Sequence, residues 1–389
     1  MLIGIVGAPN KGKSTLFSAL TSIEVDIADY AFTTIKPNLG VAYANHECAE
    51  VGLNVKCNPR NSTCTDGVRH IPINIIDVAG LVPDAHLGKG RGNQFLNDLV
   101  NADVLILVVD ASGRTDAEGA PCNGCDPSTD VKMIQREMTE WLASIILRHK
   151  NTLIKRPDGD VAIYELLSGF KTSPDQIRRA AEKSYMALSN TNWDKDTASK
   201  FSSELLKENK PIMVAANKAD QANNIALESL SSKLQGVTVV KCSAAIELAL
   251  VKAAGKGIID YFPGAKDFKI LKEISAEQKN ALNYMHDYVS KNGGTGVQDL
   301  INAAVFKVLG NIVVYPVEDE THYSDHSGNV LPDAILMKGG STAHDLAAKL
   351  HTEIANGMKY AIDAKTKMRI QKEYTLKDGD VIKIVSITR

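Results

Sequence analysis

The chain of 389 residues lacks several things that would narrow its class quickly. It lacks a net charge: 44 Lys and Arg stand against 46 Asp and Glu, a formal balance of −2. That excludes a globally basic coat for nucleic acid, though not a local basic patch. It lacks a long apolar run. The longest candidate, Val104–Val109, has strand length and falls far short of the roughly 18 residues a membrane helix needs. It lacks a basic, apolar leader, since Leu2–Val6 runs straight into a glycine-rich loop, so a soluble cytoplasmic protein without a signal peptide is expected. Six cysteines are too few for a disulfide scaffold at this length. Hydrophobic residues make up 44%, enough to build a core and to exclude wholesale disorder.

The pattern that is present is a series of short apolar strands alternating with helical stretches, which predicts a parallel α/β sheet. Strands are expected at Leu2–Val6, Ile71–Val78, Val104–Val109, Ile212–Ala216 and Val237–Lys241. The stretch from Ser112 to Lys210 is too long for one crossover. It carries helical periodicity at Val131–Leu147, Asp175–Ser189 and Lys195–Glu208. The domains predicted are residues 1–111 and 211–310 as the two parts of one α/β domain with C-terminal helices, 112–210 as a mainly helical insertion, and 311–389 as a small tail domain. In the tail, strands are expected at Ile312–Val317, Ile335–Lys338 and Val381–Ile387, with one helix at Thr342–Asn356.

The chemistry starts at Gly7-Ala-Pro-Asn10-Lys11-Gly12-Lys13-Ser14, which fits G-x-x-x-x-G-K-[ST] between a strand and a helix. In that context Asn10, Lys11, Gly12, Lys13, Ser14 and Thr15 are candidates for nucleotide binding. Backbone N–H groups close around phosphate, Lys13 adds a positive charge near the β and γ phosphates, and the Ser14 hydroxyl can ligate Mg²⁺. Asp77-Val-Ala-Gly80 ends the second apolar strand, so Asp77 can hold the Mg²⁺ through water and the Gly80 amide can approach a γ-phosphate. Asn217-Lys218-Ala-Asp220 follows a later strand. A carboxylate at Asp220 can accept from the N1–H and 2-amino group of guanine, whereas adenine would leave it unpaired. Ser243-Ala244-Ala245 follows the last strand of the sheet, where a backbone N–H can reach the guanine O6.

In this order the elements resemble the G1, G3, G4 and G5 motifs of the small-GTPase superfamily. Tyr30-Ala-Phe-Thr33-Thr34-Ile-Lys-Pro37-Asn38-Leu-Gly40, with Gly80-Leu81-Val-Pro running into Gly88-Lys-Gly90-Arg-Gly92-Asn93-Gln-Phe95-Leu96, resembles the switch regions of the Obg family. The likeness is to the YchF-related archaeal type with a C-terminal TGS domain. It implies a P-loop NTPase fold with a Ras-like G domain, a helical insertion and a β-grasp-like tail. It also implies that Thr34 (or its neighbour Thr33) meets Mg²⁺ when the γ-phosphate is bound, so that Lys13, Thr34 and Gly80 form the catalytic set. Asn10 stands where several relatives use an asparagine to help hold K⁺, so K⁺ is a candidate second cation. Leu81 replaces the water-positioning glutamine of Ras-type enzymes, which implies slow intrinsic hydrolysis. Many YchF proteins carry Glu at the position of Asp220 and prefer ATP, so the aspartate here implies GTP. A histidine used by some of them falls at Leu107, and its chemistry does not transfer; His86 is expected to be a solvated loop residue.

The cysteines allow a further expectation. Cys122 and Cys125 have the spacing of half a zinc site, but Cys48, Cys57 and Cys64, separated by nine and seven residues, lack the usual pattern for the other half; reduced thiols or a loop-closing disulfide are expected, with a shared metal site the alternative. From Leu336 onward ten Lys and Arg outnumber six Asp and Glu, with Lys365, Lys367, Arg369 and Lys372 clustered. This excess suits RNA phosphates. The whole predicts a GTP-binding protein that slowly hydrolyses GTP to GDP and acts as a switch on an RNA-containing partner, the ribosome first among them. A YchF-like ATPase and a nucleotide-gated RNA-binding scaffold are the rival readings.

Overall fold

The computed structural model describes residues 1–22, 38–78, 100–189 and 192–387. The switch candidates Thr33, Thr34, Gly80, Leu81 and His86 lie outside the described residues. The chain divides into two compact units. The first contains Met1–Ser22, Asn38–Gly40 and Asn74–Leu300, and the second contains Val41–Ile73 and the chain from Ile301 onward.

The strands before the insertion are β1 (Leu2–Val6), β2 (Leu39–Glu47), β3 (Thr63–Thr65), β4 (Val68–Asp77) and β5 (Val104–Asp110); β6 (Ile212–Asn217) and β7 (Thr238–Lys241) follow it. In the first unit the order is β4-β1-β5-β6-β7, all parallel. Every residue of β5 is buried, the outcome expected of a continuous apolar run covered on both faces. Leu107 sits inside that run, so nothing catalytic stands at this position. Each strand of this sheet ends on the same side, and the loops after β1, β4, β6 and β7 carry the four motifs.

The insertion between β5 and β6 is helical, with its main helices at Ser128–Arg148, Gly159–Leu166, Pro174–Lys183 and Lys195–Asn209. Its apolar faces do not form a separate core. Ile134, Met138, Trp141, Ile177 and Phe201 join Leu105, Leu107 and Val214 of the sheet in one cluster. Trp141 packs on Phe170 with ring centroids 5.1 Å apart and is therefore core. The helix expected to reach Ser189 stops at Lys183, because Ser184 caps it and Tyr185 takes φ 58°, a left-handed conformation that ends helices.

The second unit differs from the sequence-based boundaries. Val41–Ile73 was expected to belong to the first part of the α/β domain, yet it groups with the tail. The physical reason is apolar burial: Cys48, Ala49 and Ile71 share a core with Val313, Tyr315, Leu331 and Val381. After the short pair β8 (Ile259–Asp260) and β9 (Lys269–Ile270) of the first unit come β10 (Asn311–Val317), β11 (Ile335–Lys338), β12 (Met358–Asp363), β13 (Met368–Ile370) and β14 (Val381–Ser386). They form a five-stranded sheet in the order β11-β10-β14-β12-β13, with β10 and β14 parallel and the other pairs antiparallel. Helix Ala343–Leu350 buries Ala343, Leu346 and Ala347 against Val314, Met337 and Ile382. It starts in a capping box: Thr342 accepts from the Asp345 N–H and Asp345 accepts from the Thr342 N–H. The single helix expected through Asn356 is broken at His351, which is extended and whose ring Nδ1 accepts from the Glu353 N–H to start helix Thr352–Gly357.

Candidate nucleotide-binding site

The loop after β1 is shaped by two glycines that have no room for a side chain. A Cβ at Gly7 would stand 2.7 Å from the Val108 carbonyl oxygen. At Gly12, where φ is 87°, it would stand 2.3 Å from Asn217 Nδ2. Gly12 is also the N-cap of helix Lys13–Thr21, and no side chain caps that end. Uncapped N–H groups and the positive end of the helix are what an anion needs. Ser14 and Thr15 lie in the first turn of the same helix.

Lys13 Nζ is 2.8 Å from Asp77 Oδ1 and donates to the Val78 carbonyl at 2.8 Å. Ser14 Oγ donates to Asp77 Oδ2 at 3.4 Å. The end of β4 therefore meets the start of the first helix, and a hydroxyl and a carboxylate converge there. These are hard oxygen donors of the kind Mg²⁺ takes, so the residues present fit that ion.

On the far side, Asn217 ties three segments together. Its Nδ2 donates to the Lys11 carbonyl at 2.9 Å and its Oδ1 accepts from the Ala244 N–H at 3.0 Å. Lys218, at φ 59°, donates to the Asn10 carbonyl at 2.9 Å and pairs with Asp110 Oδ2 at 2.9 Å. Burial disfavours the Asp110 charge, but donors on Ser112, Lys218 and Thr115 outweigh it and hold this carboxyl below its ordinary range. Asp220 Oδ1 is buried and has no hydrogen-bond partner among the described residues. An orphaned buried carboxylate oxygen is costly unless a ligand supplies the donor.

Several candidates are repositioned by the geometry. The Lys11 side chain turns away from the phosphate loop: it is 1% exposed, donates to the Thr115 carbonyl at 2.9 Å and pairs with Asp130 at 2.8 Å. Only its backbone remains for a nucleotide. Of the three amides at Ser243, Ala244 and Ala245, that of Ser243 donates to the Thr295 carbonyl and that of Ala244 to Asn217, which leaves Ala245 in the first turn of helix Ala244–Gly255. Asn10, at φ 62°, donates through Nδ2 to the Gly119 carbonyl at 2.9 Å, and its Oδ1 has no partner among the described residues. Sequence reasoning missed Asp110, Thr115, Gly119 and Asp130. Of these only Asp110, a carboxylate ending a buried strand, left a signal.

Of the states open to the cysteines, Cys122 and Cys125 take the loop-closing disulfide, which leaves them no thiolate to offer, so they supply no half of a joint zinc site. Cys48, Cys57 and Cys64 are free and belong to the second unit.

A parallel sheet with a glycine-rich phosphate loop after its first strand and the Asn217-Lys218-Ala-Asp220 loop after β6 defines a P-loop nucleotide-binding protein of the G-domain class. Comparisons agree. Residues 2–154 match the family described as 50S ribosome-binding GTPase, residues 215–319 the Obg-like GTPase YGR210-like, G4 motif-containing domain, and residues 327–386 the TGS domain. An uncharacterized GTP-binding protein of Methanocaldococcus jannaschii is 48% identical over the whole of both chains. A ribosome-binding ATPase YchF of Mycoplasma genitalium is 27% identical over 97% of each. The crystal structure of a GTP-binding protein from Pyrococcus horikoshii superposes with a TM-score of 0.81 at 37% identity and full coverage of both chains. The chain belongs to the Obg family of P-loop GTPases, as a YchF-related member with a TGS domain. Among the described residues no helix is long and apolar enough to cross a membrane.

Proposed function

We propose that the protein binds GTP and Mg²⁺, hydrolyses GTP slowly to GDP, and uses the difference between the two states as a switch on an RNA-containing partner, the ribosome. The observation that carries the base preference is Asp220. Its buried, unpartnered oxygen is satisfied by guanine, which offers an N–H pair, and is left unpaired by adenine. Ser14 and Asp77 would hold Mg²⁺, with Thr34 joining them when the γ-phosphate is bound. Lys13 trades its contact with Asp77 for phosphate oxygens and stabilises charge developing in transfer to water, a role it shares with the Gly80 amide. The Oδ1 of Asn10, without a partner among the described residues, is suited to a K⁺ ion beside the phosphates; hydrolysis equal in Na⁺ and K⁺ would count against that ion.

The rival reading, an ATPase, draws on the names of the bacterial relatives, ribosome-binding ATPases. Displacement of labelled GTP separates the two: GDP should compete strongly and ATP weakly. Relatives with ribosome-binding names support the partner, and so does the basic tail. Co-sedimentation with ribosomes in GDP, GTP and a non-hydrolysable analogue tests the switch. Binding equal in all three states would favour a scaffold in which turnover is incidental.

A further inference from the structure

The second unit holds a cluster that the nucleotide chemistry does not use. Cys48 Sγ, a carboxylate oxygen of Glu50, Cys57 Sγ and Cys64 Sγ all lie within 4.8 Å of one another. Cys48 is buried, and Cys57 and Cys64 are half-buried. From this geometry we propose that Cys48, Glu50, Cys57 and Cys64 form a structural zinc site that ties the short elements within Val41–Ile73 to one another.

Distances and donor chemistry support a tetrahedral ion. Zn–S bonds of about 2.3 Å put neighbouring sulfurs about 3.8 Å apart. Cys48 Sγ and Cys57 Sγ are 3.9 Å apart. Cys64 Sγ lies 3.1 Å from Glu50 Oε1, so a small opening of that pair admits the ion. The other Glu50 oxygen, Oε2, accepts from the Cys57 N–H at 2.8 Å, which orients the carboxylate as an outer-shell contact should. Three thiolates and one carboxylate fill four positions, so the site is closed and structural, not catalytic. Soft thiolates select against Mg²⁺ and Ca²⁺.

Arg69 supplies an independent observation. Its side chain is fully buried and donates to Ser62 Oγ at 3.0 Å, the Leu331 carbonyl at 3.1 Å and Cys48 Sγ at 3.4 Å. Its guanidinium also sits 5.3 Å from the centre of the Tyr315 ring. Among the described residues no carboxylate lies at ion-pair distance from it, and its Nε has no hydrogen-bond partner. A buried cation needs an anion nearby. Neutral thiols add nothing to the single charge of Glu50, whereas three thiolates and that carboxylate around a divalent ion carry two negative charges beside it. Arg69 and the metal centre thus balance each other.

The strands and loops explain why this site sits where it does. Cys48 caps helix Ala49–Leu53 at the end of β2, Glu50 is in that helix's first turn, and Cys64 is in β3. Helix Ala49–Leu53 has five residues and β3 has three, too short to hold their shape on burial alone. A cross-link among them adds to the few apolar contacts that such short elements make.

The test is metal analysis of the full chain purified without chelator. About one zinc per chain is expected. It should persist in the Cys122→Ser/Cys125→Ser variant and be lost in Cys57→Ser and in Cys64→Ser. Should those single variants fold poorly, the unmodified chain still decides: mercurial titration of its thiols should release zinc in step with three of them. Replacing the ion with Co²⁺ should give the absorption of a tetrahedral thiolate complex. Arg69→Gln should raise the zinc dissociation constant about 10- to 100-fold. A reduced, folded chain that takes up neither Zn²⁺ nor Co²⁺ would overturn the site, as would zinc that depends on Cys122 and Cys125 and not on Cys57.

Discussion

Lys11 and Asp130 form an ion pair at 2.8 Å with side-chain exposures of 1% and 2%. The pair joins the phosphate loop to the first turn of helix Ser128–Arg148, so the helical insertion braces the loop that would hold the nucleotide. Burial pushes the Asp130 carboxyl up, and Lys11 works against that rise. Removing one partner leaves the other charged and buried. Asp130→Ala should therefore lower stability by about 3–5 kcal/mol, while Lys11→Met/Asp130→Leu should recover most of the loss. Urea midpoints of the three proteins measure this. An Asp130→Ala midpoint equal to the parent's would refute the bracing role.

How far this brace could be foreseen marks where sequence reading stops. Lys11 lies in a recognisable loop, but its partner is more than a hundred positions away and looks like any helix-start aspartate. The strands Leu2–Val6 and Ile335–Lys338 were legible to the residue because apolar runs with clear breaks define them. β2 was not, since Gly40, Asn45 and His46 interrupt its pattern and its burial depends on the second unit's core. The positions of Lys13, Asp77 and Asp220 were legible because phosphate loops and strand ends constrain spacing. The meeting of Cys48, Glu50, Cys57 and Cys64 was not, because separations of nine and seven residues reveal no common turn.

Lys13 Nζ pairs with Asp77 and donates to the Val78 carbonyl, which places its charge where the glycine-rich loop meets the end of β4. Lys13→Ala should cut GTP hydrolysis on the order of 10²–10³-fold, the loss typical of removing one charge-stabilising donor. Asp77→Asn should weaken Mg²⁺ affinity instead, raising the Mg²⁺ concentration for half-maximal rate. Single-turnover rates across a Mg²⁺ series distinguish the two effects. Identical Mg²⁺ curves for the parent and Asp77→Asn would remove Asp77 from the metal site.

Asp220→Asn exchanges an acceptor-only group for one that also donates. The preference for GTP over ATP should collapse, by up to about 10⁴-fold if Asp220 carries the whole discrimination. Xanthosine triphosphate, which presents a carbonyl where guanine has its amino group, should bind the variant better than the parent does. Fluorescent-nucleotide displacement with all three triphosphates gives the answer. Undiminished GTP selectivity would mean that the base is read elsewhere.

His70 links acidity to the stability of the second unit. It is buried in β4, its Nδ1 lies 2.7 Å from Asn45 Oδ1, and burial followed by repulsion from Arg69 lowers its pKa from 6.5 to about 4. In the unfolded chain the imidazole takes up a proton near pH 6.5, whereas in the folded chain it does so only near pH 4. Between those values the unfolded state binds more protons, so stability falls as pH falls, at up to about 1.4 kcal/mol per pH unit. Below pH 4 this contribution should level off. His70→Gln should remove this part of the slope, seen as a smaller difference between denaturation midpoints at pH 7 and pH 5. An unchanged difference would show that His70 is not the linked group.

The basic excess of the tail is unevenly available. Arg369 lies over the Tyr360 ring at 3.9 Å from its centre, and Lys367 lies over Tyr323 at 4.4 Å while donating to the Glu320 carbonyl. These two cations are held in place on the hairpin formed by β12 and β13, where they cover aromatic faces that would otherwise be free for stacking on bases. Contact with RNA through this hairpin should therefore be by phosphate alone, independent of sequence and strongly salt-dependent. Lys365→Glu/Lys372→Glu should weaken ribosome binding at low salt and make the salt dependence shallower by about one per lost phosphate contact, while nucleotide affinity stays unchanged. Co-sedimentation across a potassium chloride series measures both quantities. A salt slope identical to the parent's would place the RNA contact on another face of the protein.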